Sequence, residues 1–184
     1  MACLISVGRA INCLDTLGGV DALYITNGVN PYGTITEASN AISNMGGTFV
    51  AFKYAVNGAG NSFTTTTTAN KDTGTTFFST VVSLTLPKMT RVDAAQLKLM
   101  AHGRNSIVLM DRNLNAFLIG REHGVTVTSI SQTSGDSRGD MSGFVIELLA
   151  EEKSSPDFIN GATAGNPFAG MSSASPTITV GTNS

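Results

Sequence analysis

The sequence predicts a mainly β fold, a β-sandwich or barrel with one flanking α-helix, long loops and an extended C-terminal tail. Three observations carry this. Charged residues make up 13% of the 184, about half the ~25% usual for soluble domains. Their place is taken by Gly 20, Thr 23, Ser 18 and Asn 14, a composition that favours strands and turns. Apolar residues fall in short alternating or continuous runs separated by Gly and Asn, and a single segment combines helical periodicity with a start and a stop signal.

In chain order, Val20 to Thr26 is a short strand between the Gly18-Gly19 and Asn27-Gly28 turns. Residues 28 to 46 read as a long excursion containing Pro31, Gly33, Asn40, Asn44 and Gly46, with a helical turn around Glu37 to Ile42. Loops of that length in a small domain are usually functional or ordered by a partner. Thr48 to Val56 alternates and predicts Val50, Phe52, Tyr54 and Val56 on the core side, with Phe49, Ala51, Lys53 and Ala55 opposite. After the flexible 57–61 connection, Ser62 to Ala69 is extended because five consecutive threonines, Thr64 to Thr68, have branched Cβ atoms. Thr75 to Leu86 is the longest strand and turns Phe78, Val82, Leu84 and Leu86 to the core; Pro87 ends it.

The helix starts at Thr90, where Asp93 completes an approximate capping box, and stops at Gly103 after His102. Val92, Ala95 and Leu99 share one stripe, expected against the subunit's own sheet; Ala94, Leu97 and Ala101 project from nearly the opposite side, towards a second surface. Ser106 to Met110 and Ala116 to Gly120 flank Asp111-Arg-Asn-Leu-Asn115 and form a hairpin whose strands are apolar on both faces, a pattern of burial from two sides. Val125 to Ser131 and Gly143 to Ala150 are further strands, the latter with Phe144, Ile146 and Leu148 on one face. From Lys153 the composition shifts to Ser, Pro, Gly, Ala and Thr. The expected division is a β domain over 1–152 and a C-terminal extension over 153–184 that cannot fold alone. Within it, Thr177 to Val180 is suited to adding a strand to a neighbouring sheet edge.

A net charge of -2 gives no field for recruiting nucleic acid. Mean hydropathy of +0.13, without an apolar run of ~18 residues, argues against a membrane span. The opening MACLISVGRA has no cationic segment ahead of a long apolar core and is not read as a signal peptide. Cys3 and Cys13 match no zinc, haem or redox spacing; they are read as reduced thiols, with a bridge as the alternative. The chain contains no Asn-x-Ser/Thr sequon, in keeping with synthesis in a cytoplasm.

No catalytic, cofactor-binding or metal-binding residue is expected. His102 and His123 are the only histidines, and no nucleophile elbow accompanies them. Asp136 and Asp140 lack the regular spacing of a calcium loop, and Gly58-Ala-Gly60 leads into a threonine strand rather than a helix. Arg138-Gly139-Asp140 is read as turn chemistry. A weakly charged β-rich chain with two-sided apolar elements suits a self-assembling structural protein.

A succession of segments resembles the tailed-bacteriophage major tail tube proteins: Gly47-Thr-Phe-Val-Ala-Phe-Lys-Tyr54, Gly74-Thr-Thr-Phe-Phe78 through Leu84-Thr-Leu-Pro-Lys-Met-Thr90, Leu97-Lys-Leu-Met-Ala-His-Gly-Arg104, Gly120-Arg-Glu-His-Gly124, and Gly139-Asp-Met-Ser-Gly-Phe144 through Glu151-Glu152. The resemblance lies in order and spacing over residues 1 to 152; the tail from Lys153 departs from it. It implies six copies in a ring, and rings stacked into a hollow virion tail tube through which DNA passes without sequence-specific binding. Sheath, tape-measure, baseplate or neck proteins are the further partners it implies. A capsid decoration protein or β-rich surface fibre module is the alternative reading. Ile35, Ile42, Met45, Phe63 and Leu97 are the expected inter-subunit contacts, the first four because the 28–46 and 57–74 segments are expected to reach a neighbouring ring and to be mobile in isolated subunits, and Leu97 because its helix side is expected to face a second surface.

Overall fold

The computed structural model describes residues 8, 9, 15–56, 60–172 and 174–180; Cys3 and Cys13 lie outside them. The chain order is β1 (Val20–Thr26), β2 (Ile35–Ala38), β3 (Ala41–Met45), β4 (Gly47–Ala55), β5 (Ser62–Asn70), β6 (Thr75–Pro87), α1 (Arg91–His102), β7 (Ser106–Asp111), β8 (Ala116–Ile119), β9 (Thr126–Thr133), β10 (Gly143–Glu152), β11 (Asp157–Ile159) and β12 (Ala174–Val180). Among the described residues the fold is mainly β with one helix. Sheet A holds eight strands in the order β12-β4-β1-β7-β8-β11-β3-β2, and sheet B holds four in the order β5-β6-β10-β9.

Sheet A is curled. Its strands β3 and β4 stand near opposite ends of the strand order, yet only Gly46 separates them in the chain. The sheet must therefore roll until its ends approach. Glycine makes the corner feasible: Gly47 has φ +93, and a Cβ on Gly33 would lie 3.1 Å from the Gly46 carbonyl carbon. The backbones instead bond directly, with Gly33 N–H donating to Gly46 O at 2.8 Å and Gly46 N–H to Thr34 O at 2.9 Å.

Alternation along the central strands divides the interior in two. Leu23 and Ile25 of β1, Ile107 and Leu109 of β7, and Phe117 and Ile119 of β8 face a first core, shared with Val82 and Leu84 of β6, Phe144, Ile146 and Leu148 of β10, and Leu97 of α1. The intervening Ala22, Tyr24, Val108, Met110, Ala116 and Leu118 face a second core inside the curl of sheet A. That interior is filled by Ile42, Met45 and Phe49, and by Phe168 and Met171 from the segment between β11 and β12. Phe168 meets the Phe49 ring edge-on at 5.1 Å and the Tyr24 ring at 6.4 Å. Two-sided apolar strands are thus buried twice within one chain.

Several local expectations hold. Thr90 caps α1, its Oγ1 accepting from Asp93 N–H at 3.0 Å and donating to the Asp93 carboxylate at 2.7 Å. Asp111 ties the β7–β8 turn through the Asn113 and Asn115 amides, both at 2.8 Å. The expected faces of β6 and β10 turn inward, with Val82, Leu84, Phe144, Ile146 and Leu148 buried, while Phe78 and Leu86 are only partly buried and Thr80, not expected there, is buried between them.

Others are corrected. No helical turn forms at Glu37 to Ile42: Ser39 (φ 53) and Asn40 (φ 62) make the left-handed two-residue turn of a β2–β3 hairpin. This hairpin is part of the curl, so the 28–46 segment packs on the domain. Over Thr48 to Val56 burial is split between the two faces: Phe49 and Ala51, opposite to the expected face, are buried because the second core lies there, while on the expected face Val56 is buried in the first core, Tyr54 packs against it and Val50 is 42% exposed. The helix faces are also exchanged. Leu97 is 2% exposed and Leu99 is 68% exposed. Met100, three residues after Leu97, gives that stripe two large apolar side chains, so it is the side that meets the core. From Lys153 onward the chain is built into sheet A: β11 pairs with β8 and β3, and β12 runs parallel along β4. Thr177 to Val180 therefore adds a strand to this chain's own sheet. Gly161 and Gly170 let the connecting segment fold back on itself, since a Cβ on Gly161 would stand 2.7 Å from the Gly170 Cα.

Leu97→Asp should therefore cost about 4 kcal/mol or more by burying an unpaired charge, whereas Leu99→Asp should stay within about 0.5 kcal/mol of the parent. Thermal melts followed by circular dichroism measure both; equal destabilisation would refute this placement of the helix.

Candidate assembly surface

The two sheets protect their edges differently. Sheet A ends in β2, four residues long and carrying Glu37, and in β12, which contains Pro176. Shortness, charge and proline are standard defences against edge-to-edge pairing. Glu37 is held further in an ion pair with Arg121, whose guanidinium also reaches Asp157 at 2.9 Å. The two carboxylates raise the Arg121 pKa against the lowering effect of burial.

Sheet B has no such protection. Its edges are β5, nine residues long, and β9, eight residues long, and neither contains a charged residue or proline. Within the described residues β5 pairs with β6 alone and β9 with β10 alone, so each presents one side of its backbone unpaired. Thr65 is held to Thr80 through a 2.9 Å hydroxyl contact. The outward face of sheet B carries Ser62, Thr64, Thr66, Ser79 and Ser83, with Glu147 and Glu151 exposed among them. Val81 and Leu149 are register partners on this face. None of the four strands contains Lys or Arg.

Beside sheet B the outward face of sheet A is uncovered on two flanks. Past β5, Phe158 of β11 is 49% exposed, with its ring 4.6 Å from Phe117, which in turn stands 5.0 Å from Phe63 of β5. Past β9, a groove of about 160 Å³ opens between α1 and the β1–β4 pair, lined by Ile25, Phe52, Tyr54, Leu99 and Met100 together with the amide side chains of Asn27, Gln96 and Asn105. Burial, then the charge of Asp93, raises the Tyr54 pKa, so its phenol stays neutral.

Of the five expected contact residues, Ile42, Met45 and Leu97 are buried in the chain's own cores, while Ile35 and Phe63 are partly buried against them. Sequence reasoning missed Phe158 and took Leu99 for a core residue. Phe158 sits in a three-residue strand too short to show alternation.

Several other polar groups are engaged in folding. Glu152 is buried and accepts from the Glu122 and His123 amides at 2.7 and 3.2 Å, fixing the turn after β8. Among the described residues no group of three or more His, Cys, Asp and Glu is arranged to hold a metal ion. Among the described residues the Tyr24 hydroxyl is buried without a hydrogen-bond partner, and burial followed by the nearby Asp21 charge pushes its pKa up to about 12. Arg138-Gly139-Asp140 lies in a turn, as expected, where Asp140 accepts from the Asp136 and Ser137 amides at 3.0 and 2.7 Å.

Those two amides favour the Asp140 carboxylate and lower its pKa. Stabilisation of the turn is therefore present above the unfolded-state pKa and is lost as pH falls through the lower folded value. An NMR titration should give an Asp140 midpoint below the ordinary aspartate range; an ordinary or raised midpoint would refute the geometry.

No protein-family model matches the chain, and no curated protein does. A chain in the solved structure "Virion of native gene transfer agent (GTA) particle" is similar at 7% identity, covering 58% of this chain and 88% of that one, with a TM-score of 0.38.

Proposed function

We propose that this chain is a virion structural protein whose copies assemble into hexameric rings, and whose rings stack into a tail tube for genome delivery. The observation that carries the reading is the pair of long, unguarded edges on sheet B, beside guarded edges on sheet A. An edge of eight or nine uncharged residues is an aggregation hazard unless a partner covers it.

The parity of sheet B makes closure straightforward. Every neighbouring pair in its four-strand order is antiparallel, so the outer strands β5 and β9 run in opposite directions. In a head-to-tail ring β5 of one copy meets β9 of the next as a further antiparallel pair, without a reversal at the joint. Six copies of four strands spaced ~4.8 Å apart give a circle roughly 37 Å in diameter, which strand tilt widens. Side chains occupying ~5 Å on each side leave roughly 27 Å, room for a DNA duplex.

The lining then follows from sequence. With sheet B innermost, its outward face presents hydroxyls and the carboxylates of Glu147 and Glu151, with no Lys or Arg on its strands to hold phosphate. DNA would slide past such a wall. The ordered succession of segments from Gly47 to Glu152 resembling tail tube proteins supports the same reading.

Electron microscopy of the purified chain tests it: six-fold rings or tubes are expected, and monomers or trimers that bind capsids would replace the proposal with a decoration protein. The assemblies should also persist in molar sodium chloride, where screening falls to ~3 Å, because backbone pairing and apolar contact hold them. Dissociation into subunits in high salt would contradict this mode of association.

A further inference from the structure

The two uncovered flanks of sheet A differ in shape. One bears the half-exposed ring of Phe158 on β11, the strand next beyond β8, where it rests against Phe117 of β8, Phe117 in turn touching β5. The other bears a recess between α1 and β4, on the β9 side of sheet B, where α1 packs near β9. The recess measures about 160 Å³, close to the ~150 Å³ apolar cavity known to accept benzene. A phenyl group therefore matches it in volume, with Ile25, Phe52, Leu99 and Met100 offering apolar walls and the amides of Asn27, Gln96 and Asn105 a polar rim.

Within one subunit these features lie on opposite flanks and cannot meet. We propose that the Phe158 ring of one copy enters the α1–β4 recess of the next copy in the ring. This rests on the ring reading above: joining β5 to the next copy's β9 brings the Phe158 flank of one copy against the recess flank of the other. A second copy is the occupant that fits, because the same joint that covers the free edges supplies the ring and the recess in equal number. Phe77 and Val81, also exposed, lie on β6 within sheet B and do not flank the joint. The contact makes the assembly two-layered, with backbone pairing in sheet B and a side-chain anchor beside it, and gives the exposed Leu99 a role on the recess wall.

Single-cysteine variants test this directly. Phe158→Cys and Leu99→Cys would each be made in a chain carrying Cys3→Ser and Cys13→Ser, then mixed, allowed to assemble and treated with a short bismaleimide crosslinker. Covalent dimers are expected in the mixture and absent from either variant alone. Rings visible by microscopy without such dimers would overturn the Phe158 contact and leave the ring reading standing. Absence of rings in the parent chain would overturn both. In a parallel arm, Phe158→Ala should raise the concentration needed for assembly at least tenfold while Leu99→Asp, which leaves the subunit melt unchanged, blocks assembly. An unchanged assembly threshold in both variants would refute the anchor.

Discussion

Three adjacent strands with apolar residues on both faces set the terms for the whole molecule. Burying β1, β7 and β8 requires a layer on each side, and the chain provides both. Sheet B and α1 cover one face. On the other, sheet A curls around its own second core, closed by the β2–β3 hairpin and by Phe168 and Met171. The glycines at 33, 46 and 47 serve that curl, because a Cβ at Gly33 would strike the backbone at the corner. The segment after Lys153 serves it too, contributing β11 to the sheet and Phe168 to the filling.

This arrangement leaves sheet B as the layer with something still to bury. Sheet A ends in a short charged strand and a proline-bearing one, while β5 and β9 are long and neutral. With only Lys+Arg 11 and Asp+Glu 13 in the chain, ion pairs provide few means of joining copies. In the proposed ring, backbone pairing along β5 and β9 would need no charges, and an apolar ring beside the joint would add the specificity that hydrogen bonds between threonine-rich strands lack.

What could be read from the sequence was local. The capping residues of α1, the Asp111 turn and the faces of β6 and β10 depend on residues close together in the chain, and all were legible. Features set by distant partners were not. The alternation of β4 is ambiguous because both of its faces are apolar, and the burial of Phe49 and Ala51 was decided by a second core made of residues from Ala22 to Met171. The helix has two apolar stripes, and Met100 tips the balance between them. The β2–β3 turn was obscured because Ser39-Asn40 adopts a left-handed conformation that glycine more often signals. For the assembly surface, the threonine run was visible, but its position at an unguarded edge appears only once the strand order is known.

Hydrogen exchange along the two edges of sheet B tests the account most directly. Alternate amides of Thr64 to Thr68 and of Ser129 to Ser131 should exchange rapidly in isolated subunits and become strongly protected on assembly, while amides of β1 and β7 remain protected in both states. Equal exchange at the sheet B edges before and after assembly would contradict the claim that those edges are where copies join.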